Sequence, residues 1–204
     1  MNTANSPKKQ AILEAAKRAF IAQGYSGASM EAIAEAAPVS KPTLYKHFHG
    51  KQDLFAAVIA SQCEALLTTL ADLTHQHDEP LAGLQAIAES FVDLVYAEES
   101  IQLYRLIIAE QQHFPELGEL VYRSGPVPVL QHLADYLSEL HHLGVLNISD
   151  VETSSRLFFD MLKGDSHFRC LLGLQKGLSD AERQHLLNAA ISLFVRGHRY
   201  DTHI

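Results

Sequence analysis

Apolar residues recur along this chain at spacings of three and four, and no segment sustains the period-two alternation of a half-buried strand. That pattern allows an all-α fold and little else. The punctuation agrees with it. Ser6-Pro7 is an N-cap followed by proline at the first helical position, and Ile12, Ala15, Ala16, Ala19 and Phe20 form one stripe that Gly24 ends. Ser29 caps a short second helix that Pro38 stops, and Ser40 caps a third that runs to about Phe48. A fourth, longer helix is expected from Lys51 to about Gln76, with a polar break at His77 to Pro80. A fifth carries Leu84, Ile87, Phe91, Leu94 and Val95, and a sixth follows Ser100. A seventh opens at Phe114-Pro115, is kinked or broken at Gly125-Pro126-Val127-Pro128, and closes at Gly144. Two capping boxes, Ser149 with Glu152 and Ser179 with Glu182, open the eighth and ninth. The expected architecture is a three-helix domain over residues 1–50 and a helical body of about six helices over 51–204.

Three short helices with a tight turn between the second and third make a helix-turn-helix, whose third helix can enter a DNA major groove. That helix reads Lys41-Pro-Thr-Leu-Tyr-Lys-His-Phe48. Leu44 and Phe48 are four apart and share the inward face, whereas Thr43, Lys46 and His47 share the outward one. Their side chains suit base edges or phosphates. The Tyr45 hydroxyl suits a phosphate oxygen, and Lys51 stands at the first turn of the next helix, where backbone N–H groups also attract phosphate.

The net charge of −8 is unevenly divided. Residues 1–53 hold seven Lys/Arg against four acids, and the rest hold nine against twenty. A basic head on an acidic body presents one end to phosphates. Met1 to Gln10 is polar, no leader-like apolar region follows, and no apolar run nears the roughly 20 residues of a membrane span. A cytoplasmic protein with no membrane partner is expected. Cys63 and Cys170 lie inside apolar helical patterns, as buried thiols do, although a redox pair is the sharper alternative. His75 and His77 are two apart and His141-His142 adjacent, so neither pair has metal-ligand spacing on a helix, and no metal or cofactor is expected. With no phosphate loop after a strand and no nucleophile elbow, the chain does not read as an enzyme.

The run Ile12-Leu13-Glu14-Ala15-Ala16, then Phe20, Gly24-Tyr25, Ser29-Met30, Ile33-Ala34 and Val39 to Phe48, with Lys51 and Leu54, resembles the DNA-binding domain of the TetR family of bacterial repressors. The resemblance implies a homodimer on a palindromic double-stranded operator and a small-molecule effector bound in the body. It makes Thr43, Tyr45 and His47, with Lys41 and Pro42, groove or phosphate contacts, leaves Ser29 as a contact from the second helix, and gives Lys51 a phosphate. Two positions depart from the family pattern. Pro38 stands where glycine is usual in the turn, and proline does not supply a positive φ. Glu31 stands where some members carry a basic DNA contact, and it repels phosphate. The stretch from Leu103 to Glu110 with Phe114 to Leu117 resembles the AefR-type body of one subgroup.

In the body, Phe91, Leu94, Tyr104, Ile108, Tyr122, Leu133, Phe158, Phe159 and Met161 are the candidate effector walls, and about half should simply fill the core. Their chemistry points to a largely apolar effector. The last two helices either close the core or form a four-helix seam with a second copy, with Leu187 and Phe194 in it; the resemblance favours the seam. The long fourth helix, belonging to head and body, is expected to couple effector to operator. The alternative is a DNA-binding protein of the same kind controlled by a protein partner, or by no inducer.

Overall fold

The computed structural model describes residues 7–73 and 80–199. Among them are eleven helices and no strand. They are α1 (Pro7–Gly27), α2 (Met30–Ala36), α3 (Lys41–His47), α4 (Lys51–Gln62), α5 (Glu64–Leu73), α6 (Pro80–Tyr96), α7 (Glu98–Glu110), α8 (Glu116–Ser124), α9 (Pro126–His142), α10 (Val151–Leu171) and α11 (Asp180–Gly197). The helices form two compact units: residues 1–62 with 102–126, and residues 63–101 with 127–204. These bounds differ from a division at residue 50, because α4 packs on α1 and α8 packs on α4.

The first unit is built on an aromatic cluster. Phe20 meets Phe55 edge-on at 4.9 Å, and Tyr25 meets Phe55 at 5.3 Å and Phe114 at 5.1 Å, all spacings that favour aromatic pairs. Ile12, Ile33, Leu44, Leu54, Leu103 and Leu117 complete this core. Gly24 ends the regular part of α1 with φ 77°, a conformation glycine adopts freely. Here the Glu110 carboxylate accepts from the Ser26 backbone N–H at 3.3 Å.

The second unit packs α5, α6, α9, α10 and α11 around Leu70, Leu84, Ile87, Leu133, Tyr136, Phe158 and Leu187. Phe91 stacks on Phe159 at 4.1 Å, and Phe158 meets Phe194 at 4.9 Å. Gly164, at φ 52°, kinks α10, and the Tyr96 hydroxyl donates to the Lys163 carbonyl at 2.6 Å beside the kink. The cysteines are free and buried, and burial pushes the Cys63 thiol up to about 11, which keeps it protonated and unreactive.

Several expected boundaries move. The single helix from Lys51 breaks at Cys63, while Gln76 lies outside the described residues. Cys63 stands between the two helices, and the Ser61 hydroxyl donates to the Val58 carbonyl at 2.8 Å in the last turn before the break. α10 is capped by Asp150, whose carboxylate accepts from the Thr153 N–H at 3.0 Å, and not by Ser149. Ser179 and Glu182 do form a capping box on α11. The chain breaks at Gly125, as its Gly-Pro-Val-Pro run requires.

Candidate nucleic-acid interface

The helix-turn-helix is assembled from its caps outward. Ser29 caps α2 by accepting from the Ala32 N–H at 3.2 Å. α2 ends early, with Ala37 donating to the Ile33 carbonyl at 2.9 Å, and Val39 then donates to the Ala34 carbonyl at 3.0 Å. The turn between them places Pro38 at φ 21°, far from the value near −65° that its ring prefers. The usual glycine position is therefore filled by Pro38, within a turn closed by the Ala37 and Val39 N–H groups. Ser40 caps α3, accepting from the Thr43 N–H at 3.3 Å and sharing a hydrogen bond with the Thr43 hydroxyl at 2.8 Å.

Leu44 and Phe48 are buried, as their spacing predicts, which turns Lys41, Pro42, Tyr45 and Lys46 to solvent and leaves Thr43 and His47 half-buried. The outward face thus carries two lysines, a tyrosine and a histidine with no apolar floor. The Lys41 ammonium sits 5.9 Å from the Tyr45 ring centre and makes a short ion pair with the Glu31 carboxylate from the first turn of α2. Lys41 holds the Glu31 carboxyl below its ordinary range, and Glu31 in turn raises the Lys41 ammonium.

Lys51 occupies a different setting from the open first turn expected of it. Its ammonium donates to the Ser26 and Ala28 carbonyls at 3.2 and 3.1 Å and lies 4.7 Å from the Tyr25 ring centre. It therefore closes the C-terminal end of α1, where cations are favoured, with one of its three N–H donors still available to a phosphate. The first turn of α4 also holds Asp53, which accepts from the His49 N–H at 2.9 Å and places an anion where a phosphate was expected. The α4–α8 side of the same unit is tied by Gln52, which donates to Glu116 at 3.3 Å. Neither Glu31's pairing nor the part played by Glu110, Phe114 and Glu116 could be read beforehand. The first depends on how α3 packs beside α2, and the others on partners far off in the chain.

The candidate effector walls divide. Phe91, Leu133, Phe158 and Phe159 are buried in the core of the second unit, with Leu94 and Met161 packed against it. Tyr104, Ile108 and Tyr122 do not join them and belong to the first unit. Ile108 is 64 % exposed and Tyr122 49 %, because α7 and α8 turn Leu103, Ile107, Leu117 and Leu120 inward instead. An open groove of about 300 Å³ between α6 and α11 is lined by other residues, among them Leu81, Ile191, Val195, Arg196 and Arg199. Leu187 and Phe194, expected in a seam with a second copy, are buried in the chain's own core. The exposed apolar residues of the last two helices are Leu157, Phe168 and Leu193. Of the histidines weighed as metal ligands, His75 and His77 lie outside the described residues, and His141 accepts from the Ile148 N–H at 3.2 Å. Among the described residues no group of three metal-ligating side chains converges.

Known proteins match both parts of the chain. The family model of bacterial regulatory proteins of the tetR family matches residues 12–58, and the C-terminal domain of AefR-like transcriptional repressors matches residues 82–201. FasR, an HTH-type transcriptional activator of Mycolicibacterium smegmatis, is 36 % identical over 96 residues, 47 % of this chain and 43 % of FasR. The match thus spans less than half of that relative's length. A TetR-family regulator from Mesorhizobium loti superposes with a TM-score of 0.80 at 30 % identity, covering 98 % of this chain and all of that one. The flavonoid-responsive regulator FrrA does so with a TM-score of 0.73 at 30 % identity, covering 96 % and 98 %. These are regulators and not enzymes, and the cap-built reading helix, the family models and the whole-chain structural likeness agree: the chain belongs to the TetR family of DNA-binding transcriptional regulators.

Proposed function

We propose that the chain is a homodimeric cytoplasmic repressor that leaves a palindromic operator when a small, largely apolar effector binds its second unit. The observation that carries the dimer is the large apolar side chains left uncovered on α10 and α11: Leu157, Phe168 and Leu193 are all more than half exposed. Two adjacent helices that leave several large apolar side chains uncovered suit a four-helix contact about a twofold axis. A dimer presents two α3 helices to half-sites a fixed distance apart, which accounts for a palindromic operator. Lys41, Pro42, Thr43, Tyr45, Lys46 and His47 would meet the groove and its phosphates, with Ser29 and Lys51 at the margins. The match to AefR-like repressors favours repression, and the likeness to a flavonoid-responsive regulator favours an aromatic, mostly apolar effector. The stacked Phe91 and Phe159 are chemically suited to such a molecule. No single helix among the described residues is long and apolar enough to cross a membrane, which fits a regulator working on DNA.

Sedimentation equilibrium and selection from a randomised duplex library test the reading together. The wild type should sediment as a dimer and select a palindrome. Leu193→Asp changes an exposed position, so it should fold, sediment as a monomer, and bind the selected palindrome at least about a hundredfold more weakly. A folded monomeric variant with full affinity would overturn the dimeric reading.

A further inference from the structure

The open groove between α6 and α11, about 300 Å³, lies wholly within the second unit and is of the size of a small ligand site. The two helices run antiparallel. Arg183, near the start of α11, reaches Asp93, near the end of α6, at 2.8 Å. That register carries the end of α11 to Leu81, at the start of α6. Asn188, Ile191 and Val195 follow one another at spacings of three and four, so they line the groove from one face of α11. Ile191 and Val195, with Leu81 across from them, make an apolar floor, and Arg196 and Arg199 line its end. Leu193, the dimer-contact residue, is two positions from both Ile191 and Val195 and so does not share their face.

The two arginines differ from the other cations around them. In this unit Arg156, Lys163, Arg169 and Arg183 each stand within 4.0 Å of a carboxylate. Among the described residues no carboxylate pairs with Arg196 or Arg199, although the chain beyond residue 53 holds twenty acids against nine Lys/Arg. The negative end of the α11 dipole favours cations here, but it does not call for an apolar floor beside them. A guanidinium donates in pairs to a carboxylate or a phosphate, and an apolar tail joined to that head covers the floor. We propose that the α6–α11 groove binds a small amphipathic anion, a carboxylate or phosphate monoester on a short apolar tail. The head lies on Arg196 and Arg199, and the tail runs over Leu81, Ile191 and Val195 towards Asn188. This goes beyond the effector reading, since neither Phe91 nor Phe159 lines the groove.

Octanoate, octyl phosphate, 1-octanol and acetate are titrated into the full chain by calorimetry, and the arginine side-chain N–H resonances are followed in the same titrations. Octanoate or octyl phosphate should bind and shift the Arg196 and Arg199 signals, and the tighter of the two identifies the head group. Octanol, which keeps the tail but not the charge, should bind at least about tenfold more weakly, as the loss of a charge-assisted hydrogen bond predicts. Acetate, which keeps the charge but not the tail, should weaken by at least as much. The double variant Arg196→Gln with Arg199→Gln changes two exposed positions, so it should melt as the wild type does and lose at least about tenfold in affinity for the anionic probe. Equal affinity in the wild type and the double variant overturns the inference, as does octanol binding as tightly as octanoate. So does a wild type that binds neither anionic probe. None of these outcomes touches the regulator reading, because the site requires neither operator nor dimer.

Discussion

His167 is a basic side chain buried against the edge of the Tyr96 ring at 5.6 Å, in a mostly apolar core. Burial chiefly, and the nearby Lys163 ammonium, hold its pKa below the ordinary 6.5, against a hydrogen bond to the Val95 backbone that favours the proton. The folded state therefore takes up this proton at lower pH than the unfolded chain. Stability linked to His167 is present above about 6.5 and is lost as pH falls from there through the lowered folded pKa. Thermal unfolding between pH 7.5 and pH 5 should show the wild type losing more than His167→Gln, and parallel curves would remove His167 from the acid response. The sequence makes His167 one histidine among twelve, and only the packing of α6 against α10 separates it from the rest. Lys51 teaches the same lesson: its position in the first turn of α4 is legible, but not the Ser26 and Ala28 carbonyls at the end of α1 that it closes, which lie 25 and 23 residues away. Leu44 and Phe48, by contrast, were placed correctly by their spacing, since helical periodicity is a local property.

At one point a side chain of α9 comes close to the backbone at the start of α6. A Cβ added at Gly83 would lie 2.0 Å from the Tyr136 hydroxyl oxygen and 2.9 Å from the ring carbon that bears it. Tyr136 is almost wholly buried, and burial pushes its hydroxyl up to about 12, so the ring cannot swing into water to make room. Gly83→Ala should destabilise the protein by about 1–3 kcal/mol in denaturant unfolding, as overpacking does. Adding Tyr136→Phe removes the nearer atom and should recover part of that loss; a Gly83→Ala variant within about 0.5 kcal/mol of the wild type would deny the close approach. In sequence Gly83 is a small residue in a helical run, and its value comes entirely from α9. Helix starts were more legible than helix continuity. Ser29, Ser40 and Ser179 cap where their side chains and neighbours say they should. At Asp150 two adjacent capping residues compete and the sequence pattern favours the wrong one. At Cys63 an uninterrupted apolar pattern conceals a break that no proline or glycine marks.

At the scale of the whole molecule, the all-helical fold and the N-terminal helix-turn-helix could be argued from residues alone, whereas the grouping of helices could not. Coupling was assigned to one long helix shared by head and body, yet α4 ends at Gln62 inside the first unit, and the chain passes between the units at three places, near residues 62, 101 and 126. Any effector-driven change in the spacing of the reading helices has three covalent routes rather than one. The inward faces of α7 and α8, with Leu103 and Leu117, are as much a part of the reading head's core as Leu54. A fragment of residues 1–62 should therefore show no cooperative melt by circular dichroism, while the full chain does; a sharp transition in the fragment would mean that the α8 side is dispensable. The interleaving also has a consequence during synthesis. Translation proceeds from the N-terminus, so α1 to α4 leave the ribosome well before the residues that finish their core. Leu117 follows Gln62 by 55 positions, a delay of several seconds at roughly 5–20 residues per second. A nascent regulator of this design cannot complete the core of its first unit, and so cannot occupy DNA, until the stretch of the second unit from residue 63 to 101 has already been made.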